Sequence, residues 1–313
     1  MGESIHKGVG KVVAVGDLHG NYAGLHRILQ QTGLIDRRDR WIARDTHLVQ
    51  LGDILGRGGE PGKIFRLLKR LEVEAVDLGS RVHILLGNHE AMSMSGMLMY
   101  NTMEEFRDFA EEDLLEPYRG EPAMEGKRFG AAAVDVRLGN RLDIMGCREF
   151  RDTLSPEGRV GHWLAQHDTA VSINGCLFVH GGLNREHGLI SLQQLNESVR
   201  RELFAGDPEG ADWTAAGKEI MLRRDGPQWN REFTLRPDAD KQRVLDEVLE
   251  YHGCKRMVVG HTPTSCIDPD RAGEIVPLYG GKLYCVDTGI GKAYGGNLSA
   301  LHIEGDFLST EYF

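Results

Sequence analysis

The chain has 313 residues, 41% hydrophobic and 27% charged, the composition of a globular protein with a sizeable core. Its formal net charge of -10 argues against general binding to nucleic acid or to an anionic membrane. The five cysteines are odd in number and lack a CxxC pair, so they read as reduced core thiols of a cytoplasmic compartment rather than as a disulfide framework or zinc cluster.

The first eleven residues lack the apolar core of a secretory signal, and no run is long enough to span a bilayer. His6 stands where a myristoylation pattern wants Ser or Thr. A short frayed N-terminus is expected. Val12–Val15 then forms a Val-rich apolar run, the mark of a buried strand, and ends in Gly16-Asp17-Leu18-His19-Gly20. Leu25, Ile28 and Leu29 follow on one helical face, which Gly33 closes. A second strand, His47–Leu51, ends in Gly52-Asp53. A helix over about 62–78 carries Ile64, Leu67, Leu68 and Leu71 on its buried stripe. The third strand, Val82–Leu86, ends in Gly87-Asn88-His89-Glu90. The period of about 35 residues is that of successive βαβ units, which place ligands at the carboxyl ends of their strands.

Residues 91–174 read differently, as a largely helical insertion expected to roof the site. The methionines Met92, Met94, Met97, Met99 and Met103 suit core filling. An acidic stretch from Glu104 to Glu116 presents Phe106, Phe109 and Leu114 on one helical face, and Ser155-Pro156-Glu157 predicts a helix start. A fourth strand, Cys176–Val179, ends in His180-Gly181-Gly182. Ser191 and Gln194 form a capping-box pattern for a helix running to about Phe204. A loop-rich region carries Arg223, Arg224, Asp225 and Trp229-Asn230-Arg231, and a helix over Gln242–Tyr251 stops at Gly253. The fifth strand, Met257–Val259, ends in Gly260-His261-Thr262. The tail alternates in short β-runs, Leu283–Val286, Leu298–Ile303 and Phe307–Phe313, with Gly305-Asp306 as a hairpin turn. No linker divides the chain, so a single domain over 11–313 is expected, with 91–174 inserted into it.

Collected from the strand ends, Asp17, His19, Asp53, Asn88, His180 and His261 are three imidazoles, two carboxylates and a carboxamide. That mixture suits Mn, Fe, Zn or Ni better than calcium. Six ligands exceed what one catalytic zinc with an open position uses, and they fit two adjacent ions with Asp53 as the bridge. Such a pair serves phosphate-ester hydrolysis. His83, His162, His167 and His252 fit no motif and read as surface or satisfied core residues. Arg223 and Arg224 read as a solvated pair.

Taken in order, Gly16-Asp17-Leu18-His19-Gly20, Gly52-Asp53-Ile54-Leu55-Gly56-Arg57-Gly58, Gly87-Asn88-His89-Glu90, His180-Gly181-Gly182 and Gly260-His261-Thr262 resemble the motifs of the phosphoprotein phosphatase family. Gly-Asn-His-Glu-Ala-Met and Gly-Pro-Gln-Trp-Asn-Arg look most like its Shewanella-like subgroup. The resemblance implies an α/β fold, a calcineurin-like metallophosphoesterase β-sandwich flanked by helices. It implies two divalent ions, manganese first, with iron or zinc as alternatives. Asp17, His19 and Asp53 would hold one ion, and Asp53, Asn88, His180 and His261 the other. Arg57 and Arg231, with Asn88, would bind the phosphate, and His89 would protonate the leaving oxygen. A metal-bridging hydroxide would attack phosphorus directly, and the partner would be a phosphorylated protein or peptide.

One position departs from the family pattern. Gly56 stands where relatives carry a second acid that contacts the catalytic histidine. Without a carboxylate partner His89 is a poorer proton reservoir, unless another acid such as Glu60 substitutes. Phenolate leaves with less protonation than an alkoxide, which predicts a preference for phosphotyrosine or aryl phosphates. Two other functions fit the motifs: a dinucleoside-tetraphosphate hydrolase, and a phosphoprotein-binding module crippled at Gly56.

Overall fold

The computed structural model describes residues 3–109, 141–204 and 220–313. Its strands are β1 (Ile5–His6), β2 (Lys11–Val15), β3 (Thr46–Gln50), β4 (Arg81–Ile84), β5 (Ala170–Ile173) and β6 (Cys176–Val179). They continue with β7 (Arg256–Val259), β8 (Val276–Leu278), β9 (Leu283–Cys285), β10 (Ser299–Glu304) and β11 (Phe307–Tyr312). The helices before β5 are α1 (Tyr22–Gln31), α2 (Pro61–Val76), α3 (Asn88–Met94), α4 (Met103–Asp108), α5 (Arg141–Leu154) and α6 (Arg159–Leu164). After β6 come α7 (Arg185–Gly188), α8 (Leu192–Phe204), α9 (Ala239–Tyr251) and α10 (Thr264–Ile267).

Two sheets pack face to face. One runs β11-β10-β2-β3-β4 and the other β1-β5-β6-β7-β9-β8. Strands β2, β3 and β4 are mutually parallel, as the βαβ spacing requires, and β6, β7 and β9 are parallel in the second sheet. The two-residue period of a strand sorts β2 between two cores. Val13 and Val15 join Leu25, Ile28, Ile64 and Leu68 of α1 and α2, whereas Val12 and Ala14 join Val171, Phe178 and Val258 of the facing sheet. The outer face of the second sheet is covered by Leu192 and Leu195 of α8 and Leu245, Val248 and Leu249 of α9. Helix α1 is capped by Asn21, whose side chain accepts the Gly24 N–H at 3.0 Å, and α8 by the reciprocal Ser191–Gln194 box.

Several expectations are corrected. The N-terminus is not frayed at residues 5 and 6: β1 pairs in parallel with β5, through Ile5 with Ser172 and His6 with Ile173. A two-residue strand carries no readable period, and neither β5 nor the three-residue β8 was legible. Ser155 does not begin a helix. It lies in the turn after α5, its hydroxyl donating to the Asp152 carbonyl, and Gly158 precedes α6 instead. Met92 and Met94 are buried as expected, but Met99 is 67% exposed. Within 91–174, helices α4, α5 and α6 pack beside α2, with Phe65 against Phe109 and Trp163, and β5 belongs to the second sheet. The acidic stretch beyond Phe109, including Leu114, lies outside the described residues. Four cysteines are buried and Cys266 is exposed. Among the described residues no helix is long and apolar enough to cross a membrane.

Candidate metal centre

The parallel strands of both sheets point their carboxyl ends to one place. The turns after β2, β3, β4, β6 and β7 deliver Asp17 and His19, Asp53, Asn88, His180 and His261, and all six side chains are buried. Glycines precede most of these residues because neighbouring turns leave no room. A Cβ on Gly87 would stand 2.3 Å from Asp53 Oδ1, and one on Gly260 would stand 2.3 Å from Asp17 Oδ1. The backbone is held in unusual conformations here. His19, Asp53, Arg57 and His261 have φ of 45°, 53°, 65° and 63°, in the left-handed region that costs an L-residue about 1–2 kcal/mol. Strain of this kind gathers at functional sites.

Asp53 is the hub. Its carboxylate belongs to two buried groups whose ligand atoms lie within 4.8 Å of one another, one with His19 and His89, the other with His180 and His261. Nε2 of His19 and of His89 lie 3.9 and 3.8 Å from Asp53 Oδ2, and His180 Nε2 lies 3.3 Å from Oδ1. Asn88 Oδ1 is 3.1 Å from His180 Nε2. The other ring nitrogens are committed to main-chain carbonyls: His180 Nδ1 donates to Leu51 O at 2.7 Å, and His19 Nδ1 to Leu55 O at 3.0 Å. Such bonds fix the tautomer and leave Nε2 free to ligate. Asp17 accepts the His261 N–H on both oxygens at 3.1 Å.

Charge at the centre is unbalanced in a way that suits cations. Burial and the Asp287 charge push Asp17 well above the usual carboxylate range. Burial would raise Asp53 too, but His180, His89 and His19 hold it well below that range. Burial works against a charge on His180, yet Asp53 and Asp17 push it up to about 10. The imidazole, carboxamide and carboxylate donors gathered around Asp53 fit divalent ions.

Glu90 and Asp287 escaped the sequence reading as functional residues. Glu90 sits inside the third motif and accepts four backbone N–H groups: Asp53 at 2.7 Å, Ile54 at 2.9 Å, and Leu55 and Gly87 at 3.0 Å. It shapes the turn that presents Asp53. Asp287 follows β9 and is buried with its charge acting on Asp17, so the strand-end rule that found the other candidates applied to it as well.

The surroundings of His89 correct the account of Gly56. Glu60 does not replace the missing acid: it lies at the start of α2 and pairs with Lys63 at 2.6 Å. Glu105 comes to Gly56 instead, accepting its N–H at 2.6 Å and the Thr102 N–H at 2.7 Å. The ring of His89 occupies the space a side chain would take, since a Cβ on Gly56 would stand 2.0 Å from His89 Nδ1. Burial pushes His89 down to about 4, with His19 and Arg57 adding to it and Asp53 opposing.

Arg57 is exposed at the rim, and Arg231 reaches over the centre, donating from Nη2 to His261 O at 3.3 Å. Arg223 is tied to Glu186 and Asp225 away from these groups. His167 bonds Glu72 and the Trp163 carbonyl, and His83 lies 2.9 Å from His47, so both are satisfied core residues.

Residues 10–265 match the calcineurin-like phosphoesterase family. Shewanella-like protein phosphatase 2 of Arabidopsis thaliana is 31% identical over 275 residues, covering 80% of this chain and 66% of that protein. Shewanella-like protein phosphatase 1 of Plasmodium berghei is 28% identical, covering 81% of this chain and 61% of that protein. The chain therefore spans a little under two thirds of the length of these relatives. In fold it resembles the cold-active protein-tyrosine phosphatase of a psychrophilic Shewanella species, with a TM-score of 0.74 at 23% identity over 100% of this chain and 82% of that one. The buried strand-end side chains, the paired sheets and the family match agree: the chain belongs to the calcineurin-like phosphoesterase family.

Proposed function

We propose that the chain is a metal-dependent phosphatase that hydrolyses phosphate monoesters of proteins or peptides, favouring phosphotyrosine and other aryl phosphates. The observation that carries this reading is Asp53, one buried carboxylate shared by two donor groups beneath two rim arginines. Asp17, His19 and Asp53 would hold one divalent ion, and Asp53, Asn88, His180 and His261 a second, with manganese the first choice for this donor mixture. When bound, such a pair supplies a hydroxide nucleophile at neutral pH and positive charge for the phosphate oxygens.

The chain's own groups do the rest. Arg57 offers a planar fork of donors to two phosphate oxygens, and Arg231 and Asn88 add a cation and a carboxamide N–H. Direct attack on phosphorus without a phosphoenzyme is the route this reading takes, because the buried Asp and His side chains are gathered in the two candidate ion groups. His89, held down to about 4, is neutral at pH 7 and a scarce proton source. An alkoxide leaving from phosphoserine needs that proton far more than a phenolate, whose conjugate acid has a pKa of about 10. The names of the curated relatives support a phosphoprotein substrate.

The test is elemental analysis of the purified chain, followed by turnover of phosphotyrosine and phosphoserine peptides, an aryl phosphate and diadenosine tetraphosphate with added manganese. Two ions per chain and fastest turnover of the aryl esters are expected. Metal binding without turnover would make the chain a binding module, and fastest cleavage of the tetraphosphate would make it a nucleotide hydrolase.

A further inference from the structure

Two tyrosines that no motif marks stand at the mouth of the centre. Tyr100 lies just before α4 and Tyr294 in the glycine-rich loop between β9 and β10, and each is about 40% exposed. Both rings face Arg57, whose Cζ lies 4.9 Å from the centroid of Tyr100 and 5.6 Å from that of Tyr294. Each ring also touches a histidine of the centre: Tyr100 is 5.3 Å from His89, and Tyr294 is 5.2 Å from His19. The main chain ties the bracket together, because Arg57 N donates to Tyr100 O at 3.0 Å. Neither phenol hydroxyl has a hydrogen-bond partner among the described residues, so the rings are placed by their faces.

We propose that Tyr100 and Tyr294 are specificity-determining residues: they bracket the Arg57 guanidinium and wall the mouth so that the ring of an aryl phosphate packs beside them. The proposal rests on the phosphatase reading and deepens it, adding recognition of the ring to leaving-group chemistry. A phosphate on Arg57 places its ester carbon in the same mouth as the two rings. Phosphoserine presents one methylene there, whereas phosphotyrosine presents a planar face. An aromatic pair of this kind strengthens binding about two- to tenfold beyond its area. The cation–π contacts also keep an exposed guanidinium, on a left-handed backbone, from swinging into solvent.

The test uses the full chain with manganese, phenylphosphonate and methylphosphonate as non-reacting probes measured by calorimetry, and turnover of phenyl phosphate and a phosphoserine peptide. The wild-type chain is expected to prefer phenylphosphonate. Tyr100→Leu and Tyr294→Leu are each expected to lower the phenyl-to-methyl affinity ratio about two- to tenfold, while Tyr100→Phe and Tyr294→Phe keep it. Equal affinity of the wild-type chain for both probes overturns the proposal without any variant, as does a ratio that both leucine variants retain. Hydrolysis of phenyl phosphate together with either result leaves the phosphatase reading standing. Failure to hydrolyse any phosphate ester removes that reading and the substrate assignment with it.

Discussion

The contact between Gly56 and His89 makes Gly56→Ala a sharp perturbation. The added Cβ would lie 2.0 Å from Nδ1, 2.6 Å from Cε1 and 3.1 Å from Cγ of the His89 ring. Ordinary contact begins near 3.4 Å, so the ring or the turn must yield by about 1.4 Å. Gly56 has φ of 77°, where an L-residue is strained by about 1–2 kcal/mol, and overpacking adds about 1–3 kcal/mol. The variant should therefore lose about 2–5 kcal/mol of stability. Misplacing a reacting group by about 1 Å costs about 100-fold in rate, and kcat/KM on an aryl phosphate should fall by about that factor. Thermal melts and steady-state kinetics at saturating manganese measure both. An unchanged melting temperature with kcat/KM within threefold of wild type would refute the contact and its importance together. Lost stability with unchanged kinetics would refute the role of the ring position alone. Gly56→Asp carries the same Cβ. Placing an acid there should consequently slow turnover of phosphotyrosine and phosphoserine alike.

Two further outcomes follow from buried polar groups. Glu90→Ala leaves four N–H groups without their carboxylate, each worth about 1–3 kcal/mol when it stays dry, and loosens the Asp53 turn. Manganese affinity, read by titration calorimetry, should weaken about 10- to 100-fold, and wild-type affinity would count against the cradle. Between the two sheets, His6 of β1 and His47 and His83 of β3 and β4 crowd with ring centroids 4.8–5.2 Å apart. Burial first, then the His6 and Arg81 charges, push His47 down to about 4, with Asp45 opposing. Its folded value lies below the unfolded one of about 6.5, so the unfolded chain binds the proton more readily. The stability is complete above about pH 6.5 and is lost as pH falls towards 4. Denaturant melts of His47→Asn between pH 7 and 5 should show a shallower pH slope than wild type. An equal slope would place the acid sensitivity elsewhere.

The sequence by itself determined which candidate side chains gather at the centre. Apolar runs of strand length, each closed by glycine and a metal-capable side chain, are local signals, and parallel βαβ order brings their ends together. Asp17, His19, Asp53, Asn88, His180 and His261 were legible for that reason, and Arg57 and Arg231 through the motifs around them. The tertiary structure alone decided what surrounds them. Sequence proximity pointed to Glu60 as the acid near Gly56, but the carboxylate that arrives is Glu105, 49 residues away. Tyr100 and Tyr294 meet across Arg57 from segments nearly two hundred residues apart, with no period or spacing to announce them. Strand and helix patterns report which face of an element is buried. They carry no record of which side chain of a distant turn fills the space beside a ligand, because close packing of the folded chain settles that.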